Sequence, residues 1–157
     1  MRLVQQIAQL IARVAGLRQQ GRNEEAVKEI DNLCLQTAGL PLSRIRQSSP
    51  ESLASFLETG GALRYDRAIT LAALLQQDAE LSEIAARPAE ALVSRLHAFC
   101  LLADSVHVLP AQEQAEYRQK MNALAEQLQS VAAHPYAGAK LREYAARRDA
   151  AGTETLG

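Results

Sequence analysis

His97, Cys100 and Asp104 are the residues of this chain whose types and spacing come nearest to chemistry. Intervals of three and four place them along one face of a helix. A histidine beside a cysteine can generate a thiolate nucleophile. Side chains stacked along one helix project almost in parallel, however, whereas a nucleophile, its base and an orienting carboxylate must converge. Cys100 also falls on an apolar stripe with Leu96 and Phe99. The spacing therefore predicts a core cysteine beside a histidine at the core boundary, and no catalytic residues. The alternative is an enzyme whose site is assembled from separated residues, with these three as its candidates.

The remaining polar motifs point the same way. His97, His107 and His134 form no His-x3-His or Glu-x2-His spacing, and no Cys-x2-Cys pair occurs, so neither a metal nor a cofactor is expected. Gly60-Gly61 is followed by Ala62-Leu63-Arg64, which has neither Walker nor dinucleotide-binding spacing. Lys140, Arg142, Arg147 and Arg148 could meet phosphates, but the interleaved Glu143 and Asp149 predict a solvated face. Asp78, Glu80 and Glu83 give one long helix an acidic stretch, read as a solvated face or as an acidic lining toward a partner.

Those residues have to be carried by something. A chain of 157 residues fits one domain and buries roughly 70% of its unfolded surface, enough to fold without a disulfide or metal. Of its residues 48% are apolar but only 4% aromatic, with no tryptophan, so Leu, Ala, Val and Ile must build the core. Small side chains of this kind let helix axes approach closely. A net charge of −1 and a pI near 6.3 supply no basic excess for nucleic acid. Cys34 and Cys100 stand far apart at apolar positions, as buried free thiols of a reducing compartment do. Gln5, Gln6 and Gln9 interrupt the apolar core a signal peptide needs. No apolar run approaches the ~18 residues of a membrane span. The expected location is the cytoplasm, without membrane or nucleic-acid partners.

Helical periodicity recurs along the whole chain. Leu3, Ile7, Leu10, Val14 and Leu17 alternate by four and three, and Val4 and Ile11 widen the stripe to suit a globular core. Gly21 sits at the reversal as a left-handed helix end, and Asn23 is placed to cap the next helix ahead of Glu24 and Glu25. That helix ends at Gly39 and Pro41. Residues 40–50 read as a connection, Pro50 opens a short helix, and Gly60-Gly61 stops it. A long helix over residues 63–86 pairs with one opening at Pro88. Residues 106–109 read as an extended link; further helices carry Tyr117, Met121, Leu124 and Leu128, then Leu141 and Tyr144. The expected fold is all-α: antiparallel helical hairpins, six to seven helices in a single domain over residues 1–148, with a frayed tail at 149–157.

At Gly21, Ala26 and Leu33, with Glu24-Glu25-Ala26 opening the second helix, the first hairpin resembles a tetratricopeptide repeat. Ala86, Glu90-Ala91-Leu92 and Ala98 resemble a second copy. Asp78, Ser82, Ala86 and Arg95 depart from the family pattern. The two copies are separated by more than the about 34 residues of adjacent repeats. Across residues 1–105 the chain is also similar to a small uncharacterised bacterial family with tetratricopeptide-like helices. The resemblance implies a non-catalytic scaffold for protein–protein interaction, its partner a protein or peptide, with homodimerisation as a compatible form. It would put Ala73, Gln76, Glu80 and Glu83 on the concave face, a lining suited to a peptide with basic residues.

Overall fold

The computed structural model describes residues 2–131 and 134–156, with side chains through residue 150. The apolar stripe of the first segment becomes α1 (Leu3–Gln19), with Ile7 and Val14 buried on its inner face. Its end is a double-bonded turn. The Arg22 amide donates to the Leu17 carbonyl at 2.9 Å and the Gly21 amide to Arg18 at 3.0 Å, while Gly21 has φ +74°. This is a Schellman ending with glycine in the left-handed position. The turn is so short that Arg22 already accepts the first bond of α2 (Asn23–Ala38), from Ala26 at 3.0 Å. Asn23 therefore lies inside the helix, not at its cap as the sequence suggested, and its Oδ1 has no hydrogen-bond partner among the described residues.

The chain repeats this turn at the start of its most extensive helix pairing, that of α5 (Tyr65–Ile84) with α6 (Pro88–Ser105). Arg87 donates to the Ser82 carbonyl at 2.8 Å and Ala86 to Glu83 at 3.0 Å. Here the left-handed position is held by Ala86, at φ 59°. A Cβ in that conformation is strained by roughly 1–2 kcal/mol, partly offset because glycine has more backbone freedom to lose on folding. Ala86→Gly is expected to stabilise the fold by about 1 kcal/mol, and Gly21→Ala to destabilise it by a similar amount. Nothing lies within 4 Å of a Cβ built on Gly21, so the second effect is one of backbone alone. Denaturant midpoints of the two variants check the pair; shifts of the same sign would contradict the shared geometry.

The segment between the hairpins is more ordered than its sequence indicates. Residues read as a connection form α3 (Leu42–Gln47), whose first amide donates to Asp31 Oδ1 at 2.8 Å. With only Leu42 and Ile45 buried, α3 is too short to display a period. In α4 (Pro50–Phe56), Pro50 follows a Ser49 cap that accepts from the Ser52 amide at 3.1 Å. Gly60-Gly61 does more than end a helix: both have positive φ, and they turn a hairpin of two-residue strands, β1 (Glu58–Thr59) and β2 (Ala62–Leu63), paired Thr59 to Ala62. Two glycines with positive φ suit such a tight hairpin. It is a small exception to an otherwise all-α architecture, in which eight α-helices are found among the described residues.

Helix α5 packs against α1 and α2 as well as α6, and α6 against α3, α4, α5 and two later helices, α7 (Ala111–Gln127) and α8 (Pro135–Leu156). Ala72, Ala91 and Ala98 are wholly buried where the helices meet. By length and composition the stretch Pro88–Val108 could cross a membrane. In this fold it is apolar on most sides because it is central. Its C-terminal end tightens into a 3-10 turn at Val106–Val108 instead of an extended link. Tyr117, Met121, Leu124 and Leu128 are buried as their spacing predicts. The residues read as a frayed tail continue α8 to Leu156; Gly157 lies outside the described residues.

Candidate functional site

The first candidates do not form a site. His97 is buried, its Nδ1 2.8 Å from the Val93 carbonyl oxygen and its Nε2 2.7 Å from that of Ser48. Both ring nitrogens are thus turned to backbone and neither to Cys100. Asp104 is engaged by Lys140 Nζ at 2.6 Å. Burial pushes the Cys100 thiol from 9.0 up to about 12 against the opposing pull of Lys140, with Asp104 adding to the rise. Cys34 is raised to about 12 too, by burial first and then by Asp78 and Asp31. Both are free cysteines. Each is expected to react slowly with a maleimide from pH 7 to 9 in the folded protein and rapidly in denaturant. Because both folded values lie above the ordinary one, their contribution to stability is complete below pH 9 and is lost as pH rises toward 12. Fast native labelling of Cys100 alone would restore the nucleophile reading.

The residues expected to face a partner are distributed differently from the sequence reading. Ala73 is buried, and α5 packs against α2 as well as α1 and α6. Gln76 is half-buried, and Glu80 and Glu83 are exposed. Both glutamates have arginine partners: Arg18 of α1 reaches Glu80, and Arg95 of α6 reaches Glu83 at 2.6 Å. The two glutamates are therefore each paired with an arginine of a neighbouring helix. A separate groove of about 260 Å³ lies between α1, α2 and α5, beside Gln6, Leu10 and Thr70.

Asp78 is not part of a solvated acidic stretch. It is completely buried, and Arg46 of α3 grips it through Nη2–Oδ1 at 2.5 Å and Nε–Oδ2 at 3.2 Å, while Ser94 Oγ of α6 donates to Oδ2 at 2.6 Å. Three helices meet on one carboxylate. Together with the contact of His97 to Ser48, this ties the segment between the hairpins to α5 and α6. The two-pronged guanidinium geometry satisfies a charge that would otherwise be costly to bury.

Sequence reasoning missed a cleft of about 410 Å³ between the end of α6, α7 and α8. It joins Asp104, read with His97 and Cys100, to Lys140, Arg147 and Arg148, read as part of a solvated face, and adds Arg118, Met121 and Tyr144. Only the mutual packing of α6, α7 and α8 assembles them. Among the described residues no group of three or more His, Cys, Asp or Glu side chains is placed to hold a metal. No family model, curated protein or solved structure matches this chain.

Proposed function

We propose that the chain is a non-catalytic helical scaffold of the tetratricopeptide-like kind, which acts by binding a protein or peptide partner on the surface shared by α1 and α5. One observation supports this above the rest. The same turn recurs at Gly21 and Ala86, each followed five residues later by a wholly buried alanine, Ala26 and Ala91. The first helix of the second pair, α5, lies against both helices of the first. Stacked pairs of this form leave one helix of each pair lining a continuous surface.

Gln76, on that surface and outside the ion pairs, is the residue to change. Gln76→Arg is expected to weaken a purified partner by about tenfold, the effect of a substitution near the centre of an interface. Glu126→Arg on α7 should leave affinity unaltered, and both variants should melt with the wild type. Equal binding by Gln76→Arg would remove this surface, and turnover of a defined substrate would remove the scaffold reading. A second copy of the chain is the compatible alternative partner; Leu35, Phe56, Ile84 and Val108 are large apolar side chains left exposed, on four different elements. Sedimentation equilibrium tests it, with twice the 17.1 kDa chain mass as the supporting result and a monomer as the contrary one.

A further inference from the structure

The cleft between α6, α7 and α8 carries more positive charge than its own carboxylates absorb. Four cationic side chains line it, Arg118, Lys140, Arg147 and Arg148, against two carboxylates, Asp104 and Glu143. Both carboxylates are already used: Lys140 Nζ lies 2.6 Å from Asp104, and Arg147 Nη2 lies 2.5 Å from Glu143. The other two cations are less committed. Arg118, on α7, donates to the neutral amide oxygen of Gln114 at 3.3 Å and has no carboxylate partner among the described residues. Arg148, on α8, is 3.9 Å from Asp149 and sits over the Tyr144 ring at 5.9 Å.

Tyr144 touches both residues, the Arg118 backbone through its hydroxyl and the Arg148 guanidinium through its ring. Its hydroxyl donates to the Arg118 carbonyl oxygen at 3.2 Å and also contacts Asn122 Oδ1. Its ring meets Phe99 edge-on with centroids 5.6 Å apart, which fixes it against the core. Met121 and Val106 add apolar lining. The cleft thus combines an apolar, partly aromatic wall with two guanidinium groups on opposite helices.

We propose that this cleft binds a small organic monocarboxylate with an apolar body, its carboxylate held between Arg118 and Arg148 and its body against Met121 and Tyr144. This site is independent of the partner surface on α1 and α5. A volume of about 410 Å³ is within the range of small-molecule pockets, which are mostly apolar with a few orienting polar groups. Arginine forks match a carboxylate in shape and charge. Asp104 and Glu143, in the same lining, make a polyanion a poor fit and a single negative charge a good one.

The chain has two methionines, Met1 and Met121, so a methyl-labelled sample reports on the cleft through one assignable signal. 4-Phenylbutyrate is the probe, with 4-phenylbutylamine, 4-phenylbutanol and phenyl phosphate for comparison. The carboxylate is expected to shift the Met121 methyl signal saturably. Arg118→Gln and Arg148→Gln should each weaken it by about tenfold. Both arginines are exposed, so these variants should keep the wild-type melting temperature and test binding alone. No saturable shift, equal binding of the alcohol or amine, tighter binding of phenyl phosphate, or undiminished binding by both variants would each overturn the proposal.

Discussion

Asp78→Ala is expected to destabilise the folded chain by about 3 kcal/mol, and Arg46→Ala by more. Removing one partner of a buried ion pair typically costs 3–5 kcal/mol, because the charge left behind has no compensation. The two sides of this pair are unequal. The Arg46 side chain keeps 24% of its surface exposed and has Glu90 3.9 Å away, whereas Asp78 has no exposure at all. An orphaned Arg46 can turn toward water, so Asp78→Ala belongs at the low end of the range. An orphaned Asp78 has only the Ser94 hydroxyl left, so Arg46→Ala belongs at the high end. For a domain of this size about 3 kcal/mol corresponds to a fall of roughly 6–12 °C in Tm. Denaturant titration of both variants and the double variant measures the coupling. Losses below about 1 kcal/mol, in the range of an exposed pair, would mean that α3 is not anchored through this carboxylate.

Phe99→Ala is the second large effect, expected at about 4 kcal/mol. Phe99 is fully buried on α6 and meets Tyr144 of α8 at an interplanar angle of 87°. Truncation removes transfer free energy and leaves a cavity, together roughly 3–5 kcal/mol, and it also ends an aromatic contact of about 0.5–1.5 kcal/mol. Phe99→Leu keeps most of the volume and should cost under about 1.5 kcal/mol. Because α8 loses an anchor, its amides should exchange faster in Phe99→Ala, while those of α1 and α2 change in proportion to global stability only. A cost below about 2 kcal/mol, or uniform exchange, would show that α8 is held by other contacts.

How much of this was legible follows from where each signal resides. Gly21 could be placed in sequence because a glycine between two apolar stripes has one economical use, and the turn there is the one expected. Asp78 could not be placed, because its partner Arg46 sits on α3, a helix too short to carry a period. Read without that partner, a carboxylate two positions from Glu80 looks like part of a solvated face. Ala73 is a related case: the resemblance assigns it to an open face of α5, and only the packing of the helices shows that it is buried. The cleft lay beyond any local pattern, because Arg118 and Arg148 come from different helices and line one cleft only once α7 and α8 are in place.

Amide hydrogen exchange with and without a purified partner is the measurement that decides whether the proposed surface of α1 and α5 is the one that binds. Binding should slow exchange selectively in α1 and α5, with little change in α7 and α8. Protection confined to α6, α7 and α8, with α1 and α5 unaltered, would contradict the account.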